Sequence, residues 1–270
     1  MAKIFGKVEN FDLEASEVNE DCVMDCFEAN DCLLAFMDSE NHCLLFNFND
    51  TEHLTVSETR SEDKLVVAFK ANISTDPSIS SCPLYPDLNL TVTLPNGDQI
   101  VWEKKGNQFE FKKCIGDWKM FKRSEDLTVC MQTISVAAVI RNVEVARKRC
   151  NDLGGYKLIG VGSLEELIWI KKKHDIANNG GYSGYWLDGK REEISSGMLN
   201  TNFEFSDGLT VLNKTLYDEY TGVSGSTYGK EGRRALDCLI FCKPTGRMMY
   251  DVACDAATTG YGFVCGYQLV

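Results

Sequence analysis

The stretch Tyr185-Trp-Leu-Asp-Gly-Lys190 decides the fold of the C-terminal half of the chain. Aromatic and aliphatic residues followed by Asp-Gly predict a strand that enters a turn. A second stretch of this kind, Phe203-Glu-Phe-Ser-Asp-Gly208, follows it. From there to Cys238 the chain is polar, contains glycine and has little periodicity, which predicts a long irregular segment.

Two helices are predicted before this strand. Val143, Ala146 and Cys150 lie on one helical face, and the pair Gly154-Gly155 ends that helix. Ser163-Leu-Glu-Glu166 has the pattern of a capping box and stands directly before an apolar helical stripe. The C-terminal half therefore combines helices with strands.

Cysteine is the most informative residue type, with 12 in 270 residues. Oxidising compartments favour such numbers as disulfide bonds. Zinc is the alternative, since Cys22 and Cys26, and likewise Cys238 and Cys242, have spacings that allow chelation. Short CxxC knuckles are absent, however, and the three histidines follow no pattern with the cysteines. We therefore favour disulfides.

Residues 1–80 predict a compact module in which one helix is clamped onto a sheet. Cys22 and Cys26 are one helical turn apart, so both sulfur atoms face the same side. The runs Cys32–Met37 and Cys43–Phe48 predict two strands joined by a turn over residues 38–41. Leu65–Phe69 predicts a further strand.

The spacing Cys22-x3-Cys26-x5-Cys32-x10-Cys43 resembles the PAN/apple family, in the variant that precedes lectin-like domains in secreted invertebrate proteins. The resemblance implies the disulfide pairs Cys22–Cys43 and Cys26–Cys32, whereas spacing alone allows three connectivities. It also implies that the module binds proteins or carbohydrates. A structural spacer is the alternative role.

Residues 81–113 predict a β-hairpin connector. Leu90 and Val92 precede the turn Pro95-Asn-Gly-Asp98, and Ile100 and Trp102 follow it. Asn-Gly between apolar runs is a strong hairpin signal. An isolated hairpin is marginally stable in water, so we expect this one to pack on a neighbouring module.

The features of residues 114–270, taken in order, resemble the long form of the C-type-lectin-like domain. They are a cysteine pair, a cysteine on the first helix, the second helix, the Trp-x-Asp-Gly strand and three spaced cysteines. The predicted fold class of the whole chain is therefore α+β: a PAN/apple-like helix-on-sheet module and a C-type-lectin-like domain, rich in disulfides. The resemblance implies three pairs, Cys114–Cys130, Cys150–Cys265 and Cys238–Cys254.

Cys82 and Cys242 remain outside these pairs. Two alternatives stay open: the two bridge each other, or Cys242 competes with Cys238.

Calcium-dependent sugar binding in this family uses an acid-Pro-amide tripeptide in the long loop and an Asn-Asp pair before the penultimate cysteine. The chemistry requires about six to eight oxygen ligands around the ion. Residues 206–237 contain no proline, and Tyr250 stands where the asparagine is expected. Asp251 remains as a weak metal candidate, while Asp218, Glu219 and Glu231 are typical of a solvated charged loop. The sequence favours no required cofactor and keeps calcium as the weaker alternative.

Four tyrosines around the long loop are candidates for ligand contact: Tyr217, Tyr220, Tyr228 and Tyr250. Their rings are suited to stack on a sugar face or to anchor a protein partner. The alternative is that they fill space beneath the loop.

Other functions have little support in the sequence. The formal charge of −12 opposes binding to nucleic acid or to an anionic membrane, and no apolar run approaches the length of a membrane span. No nucleophile elbow or H-E-x-x-H motif occurs, so we predict that the protein is not an enzyme. The predicted function is extracellular carbohydrate recognition without the usual calcium site, in host defence or cell-surface recognition as the resemblance implies. A calcium-independent protein-binding module and a structural adhesion role are the alternatives, so the expected partner is a glycan or an extracellular protein.

Glycosylation sequons agree with an extracellular location. They begin at Asn49, Asn72, Asn89 and Asn213. No signal peptide is visible in the residues that open this chain. The cysteines nevertheless favour secretion.

Overall fold

The chain folds into two compact units, residues 1–116 and 117–270. The computed structural model describes residues 1–14, 16–71, 90–94, 99–178, 184–191, 202–222, 238–242, 247–255 and 260–270. The predicted connector belongs to the first unit. Cys82, Tyr228 and the sequons at Asn72 and Asn89 lie outside the described residues.

In the residues that the structure describes, the first unit contains an eight-stranded antiparallel sheet, a two-stranded sheet and one α-helix. Its elements are β1 (Ala2–Val8), β2 (Glu17–Val18), α1 (Cys22–Glu28), β3 (Cys32–Met37), β4 (His42–Asn47), β5 (His53–Glu58), a 3₁₀ turn (Ser61–Asp63), β6 (Val66–Phe69), β7 (Thr91–Thr93), β8 (Gln99–Val101), β9 (Glu103–Lys105) and β10 (Gln108–Lys112). Eight strands form one sheet in the order β2-β4-β3-β6-β1-β5-β10-β9. The predicted helix, the β3–β4 hairpin and the strand at β6 are all present.

Two disulfides fasten α1 to this sheet. Cys22 bonds to Cys43 on β4, and Cys26 bonds to Cys32 on β3. These are the pairs that the PAN/apple resemblance implies. The Lys70 ammonium group lies at the C-terminal end of α1 and donates to the carbonyl oxygens of Cys26 and Ala29. The helix is therefore held by covalent bonds along one side and by a cation at its negative end.

The predicted hairpin of the connector forms between β7 and β8, with Val92 paired to Ile100. Both side chains are buried. The next two strands are β9 and β10. β10 pairs with β5 on one side and with β9 on the other, so both strands extend the eight-stranded sheet. Trp102 packs edge-on against Phe69 of β6 with a centroid separation of 4.8 Å, which joins the connector to the core.

The second unit is a mixed α/β arrangement around one twisted sheet. Its elements are β11 (Lys119–Lys122), β12 (Thr128–Ser135), α2 (Val143–Asp152), β13 (Lys157–Leu158), α3 (Leu164–Asn178), β14 (Gly184–Arg191), β15 (Phe203–Glu204), α4 (Lys214–Tyr220), β16 (Thr221–Gly222), β17 (Cys238–Cys242), β18 (Met249–Val252) and β19 (Gly260–Leu269). The main strand order is β11-β12-β19-β14-β17-β18-β16.

The two ends of the second unit pair with each other. β12 runs antiparallel to β19 from Thr128–Leu269 to Ser135–Gly262. Gly262 is required there, because a Cβ atom would lie 2.2 Å from the ring of Tyr185. The predicted strand at Trp186 is β14, and the indole nitrogen of Trp186 donates to the carbonyl oxygen of Ile140 at 2.7 Å.

The disulfides of this unit follow the lectin-like pattern. Cys150 on α2 bonds to Cys265 on β19, and Cys238 bonds to Cys254. Cys114 and Cys130 are each disulfide-bonded as well. The helix predicted from Val143, Ala146 and Cys150 buries those same three residues.

The start of α3 departs in part from a capping box. The Ser163 hydroxyl accepts a hydrogen bond from the Glu166 amide at 3.2 Å, as that motif requires. The Glu166 carboxylate, however, accepts from the Gly162 amide and from both Nε and Nη2 of Arg123. A buried bidentate ion pair therefore replaces the second half of the box.

The segment predicted to be irregular contains a helix. α4 begins after Asn213, whose side-chain oxygen accepts from the Leu216 amide at 3.2 Å. An ion pair between Lys214 and Asp218 supports its exposed side. Leu216 and Tyr217 face the core, but the helix is only seven residues long, which is too short to show a clear period in the sequence.

Candidate functional site

The candidate site lies where β14, α4, β16 and β18 meet. On β18, Tyr250 pairs with Ile240 of β17 and Asp251 pairs with Leu239. Successive side chains of a strand point to opposite faces. Tyr250 is accordingly partly exposed, whereas Asp251 is fully buried.

Asp251 is neutralised by an arginine. Its carboxylate lies 3.1 Å from Nη2 of Arg191, the last residue of β14, and both side chains are almost completely buried. The guanidinium group also lies over the ring of Phe203, 5.2 Å from the centroid. The weak metal candidate of the sequence is therefore one half of a buried ion pair.

Among the described residues, the surroundings of this pair supply no cluster of acidic, histidine or cysteine ligands for a calcium ion. Nε and Nη1 of Arg191 are buried, and within the part of the chain that the structure describes neither has a hydrogen-bond partner. Calcium requires about six to eight oxygen ligands, and a guanidinium group beside the carboxylate repels a second cation. Among the described residues, no three His, Cys, Asp or Glu side chains are placed to hold a metal ion.

Tyr250 lies over a glycine of the neighbouring strand. β16 runs parallel to β18 and pairs Gly222 with Tyr250. A Cβ atom at position 222 would come within 2.4 Å of the tyrosine ring, so only glycine leaves room for it. The ring is thereby fixed against the backbone while part of it stays accessible to solvent.

Tyr220 ends α4 beside the same pair of strands. Its carbonyl oxygen accepts from the Met248 amide at 3.1 Å, which ties it to the start of β18. Its side chain is partly exposed, and the hydrogen bond of its hydroxyl with the Glu219 carboxylate raises the pKa of Tyr220. Tyr220 and the neighbouring Glu219 therefore lie at the end of α4, directly before β16, the strand that pairs with Tyr250.

Tyr217 belongs to the core and not to a ligand surface. It is fully buried, its hydroxyl donates to the Val161 carbonyl oxygen at 3.0 Å, and burial raises the pKa of that hydroxyl. The expectation that Tyr217 contacts a ligand is therefore replaced by a packing role. Tyr228, the fourth candidate, lies outside the described residues, as does Glu231.

Two sequons are described. Asn49 lies in an exposed turn after β4. Asn213 caps α4, and its side-chain nitrogen also lies 3.4 Å from the Gly162 carbonyl oxygen. Both asparagines are exposed, but the side chain of Asn213 is engaged at the start of α4.

Arg191 is the residue of this site that sequence reasoning missed. It follows the Trp-x-Asp-Gly stretch by two residues and is the last residue of β14. A charged residue there is no signal by itself, because strand ends commonly carry charge. Its importance becomes visible only in the folded sheet, where β17 lies between β14 and β18 and the Asp251 carboxylate comes within 3.1 Å of Arg191.

Comparison with known proteins identifies a family for the first unit. Residues 1–71 match the family described as PAN-like domain. Residues 1–71 therefore form a PAN-like domain, and the helices, strands and disulfides of the second unit are similar to those of the C-type-lectin-like domain. No curated protein matches the chain in sequence.

Solved C-type lectins are distant structural relatives of the chain. Human lithostathine is 13% identical, with a TM-score of 0.40, and the match covers 58% of this chain and 91% of that one. CEL-I from Cucumaria echinata is 16% identical (TM-score 0.40; 59% and 99% covered). SPL-2 from Saxidomus purpuratus, described as a Ca²⁺-independent C-type lectin, is 15% identical (TM-score 0.35; 56% and 90% covered). Because these scores are low, the assignment of the lectin-like domain depends on its strand order, helices and disulfides.

In the part of the chain that the structure describes, no helix combines the length and apolar character needed to cross a membrane.

Proposed function

We propose that the protein is an extracellular, non-enzymatic recognition protein whose lectin-like domain binds carbohydrate without a calcium ion at Asp251. The observation that carries the proposal is the buried ion pair between Asp251 and Arg191. In that pair the carboxylate is already compensated by a positive charge that belongs to the protein. Carbohydrate binding in this domain then has to use contacts other than a shared metal ion.

The contacts available are those of Tyr220, Tyr250 and Glu219. A tyrosine ring presents an apolar face to the C–H groups of a sugar and a hydroxyl to its oxygens. The Glu219 carboxylate is next to Tyr220 in the chain and has lone pairs for sugar hydroxyl groups. Gly222 fixes the ring of Tyr250, so binding does not have to order it.

An extracellular setting suits the covalent framework. The disulfides Cys22–Cys43, Cys26–Cys32, Cys150–Cys265 and Cys238–Cys254 distribute crosslinks over both domains. Such frameworks form and persist under oxidising conditions. Mass spectrometry of non-reduced peptides from the native protein tests this part of the proposal, and recovery of these cysteines as thiols would contradict it.

Glycan binding with and without a chelator tests the main proposal. The full chain is applied to a glycan array in calcium and again in EDTA, and we expect the same glycans to be retained in both. For a retained glycan, Tyr220→Ala and Tyr250→Ala should each weaken binding about tenfold, or about 1.4 kcal/mol, because each removes an aromatic contact. Tyr261→Ala, a partly exposed tyrosine on β19, is the matched control and should bind as the parent chain does.

Two results would contradict the proposal. Retention only in calcium would mean that a metal site exists despite the Arg191–Asp251 pair. The absence of any bound glycan would favour the protein-binding alternative, for which the same two tyrosines are suitable anchors.

A further inference from the structure

The outer side of α1 in the PAN-like domain is apolar and exposed. Met24 and Phe27 are three residues apart and therefore lie on one side of the helix. Their exposed fractions are 53% and 54%. Cys22 and Cys26 occupy the opposite, buried side, so the exposure of Met24 and Phe27 follows from the way the disulfides hold the helix.

A cavity lies next to Phe27. It has a volume of about 200 Å³, and its lining includes Phe27, Phe48, Val92 and Ala71. A cavity of about 150 Å³ is large enough to hold benzene, so this one has room for an apolar side chain against Phe27, Phe48 and Val92, while Met1, Asn30 and Thr93 complete its lining. Lys70 also lines it, but its ammonium group is engaged by the carbonyl oxygens at the end of α1.

The domain that carries this face is strongly acidic. Between Lys7 and Arg60 the chain has 14 aspartates and glutamates and no lysine or arginine. Residues 1–116 contain 21 acidic and 9 basic residues, whereas residues 117–270 contain 19 of each, so the first unit carries the whole formal charge of −12.

The acidic residues next to Met24 and Phe27 are exposed. Asp21, Asp25 and Glu28 lie on or beside α1, and among the described residues none of them forms an ion pair with lysine or arginine. Their negative charge is therefore available to a partner.

We propose that the exposed side of α1 binds a cationic amphipathic segment of another protein. An apolar side chain of that segment enters the cavity beside Phe27, and its lysines or arginines pair with Asp21, Asp25 and Glu28. Apolar contact without charge does not select a partner, and charge without apolar contact is screened by salt. The combination of both on one helical turn selects a segment that is basic and apolar at once.

A peptide-binding experiment on the full chain tests this surface. The probes are an amphipathic helical peptide of lysine and leucine, its counterpart of glutamate and leucine, and polylysine, each followed by fluorescence anisotropy. The lysine–leucine peptide should bind at least tenfold more tightly than either of the others, and more weakly as salt is raised.

Phe27→Ala should weaken binding of the lysine–leucine peptide at least tenfold. Phe5→Ala is the matched control, because Phe5 is 49% exposed on β1 but is flanked by Lys3 and Lys7. It should change the affinity by less than twofold. Met24→Ala supplies a second substitution on the proposed surface and should also weaken binding, and circular dichroism checks that each variant is folded.

Three outcomes would overturn the proposal. They are equal loss in the Phe27 and Phe5 variants, no loss in either variant of α1, and equal affinity for polylysine. The first would show that the loss is not specific to α1, and the other two would show that the acidic charge alone attracts the peptide. Because this surface belongs to the PAN-like domain, these results are independent of whether the lectin-like domain binds a glycan.

Discussion

The buried pair Arg191–Asp251 makes a sharp prediction about stability. In Arg191→Met, a long apolar side chain replaces the guanidinium group, and Asp251 loses the positive charge 3.1 Å away. In Asp251→Leu, the guanidinium group loses its carboxylate. The double variant Arg191→Met/Asp251→Leu removes both charges and leaves side chains of similar volume.

The expected magnitudes follow from burial. Removing one member of a buried ion pair costs about 3–5 kcal/mol, because the remaining charge has to stay out of water. Arg191→Met also loses the contact with the ring of Phe203, worth about 0.5–2 kcal/mol. Replacing both charges by apolar groups is often neutral or even stabilising. We therefore expect each single variant to be strongly destabilised and the double variant to be within about 1 kcal/mol of the parent.

Urea unfolding followed by tryptophan fluorescence measures this effect, since three of the four tryptophans lie in residues 117–270. For a domain of this size, 3–5 kcal/mol corresponds to a fall in Tm of about 6–20 °C. Single variants that cost less than about 1 kcal/mol would show that the pair is not buried as described. A double variant that costs as much as both single variants together would show that the two charges do not stabilise each other.

Three further predictions concern other parts of the chain. Tyr250→Asn restores the residue expected of a calcium site but should not give a calcium-dependent rise in Tm, because the guanidinium group beside the site remains; a rise of several degrees in 10 mM calcium would contradict this. The hydrogen bond with the Asp38 carboxylate raises the pKa of His42 above 6.5. The stabilising effect of this bond is therefore fully present below pH 6.5 and is lost as the pH rises through the raised pKa. NMR titration should show the raised pKa of His42 and its return toward 6.5 in Asp38→Asn. Replacing Cys150 and Cys265 by alanine opens a loop with a sequence separation of 115 residues and should cost about 4–5 kcal/mol in urea unfolding, whereas no loss of stability would mean that the bond does not form.

The disulfides, turns and helix ends could be predicted from the sequence. The hairpin at residues 38–41 was indicated by turn residues, and the structure shows why they are needed: the Asp38 carboxylate accepts from the amides of Glu40 and His42. The helix ending at Gly154-Gly155 was indicated in the same way, since both glycines have positive φ angles. Such signals act within a few residues, so they can be read without knowing the fold.

The features that were missed depend on distant contacts. α4 is a short helix whose apolar side is recognised only against Val161, 56 residues earlier. Arg123 is an ordinary basic residue in the sequence, yet it binds Glu166 and the carbonyl oxygens of Gly160 and Leu209. The sequence gives no reason to treat Tyr217 and Tyr250 differently. Only the fold places Tyr217 in the core and leaves Tyr250 partly exposed.

The same reasoning explains why Asp251 is a poor indicator of calcium when it is considered alone. The Asp251 carboxylate is buried on β18, so it requires a positive charge, which a metal ion or a basic side chain can supply. Here Arg191 supplies that charge from the end of β14. Changing either residue by itself would leave a buried charge without compensation, and the two are therefore expected to be exchanged together. An aspartate at this position then indicates a metal site only when the residue that ends β14 is not a cation.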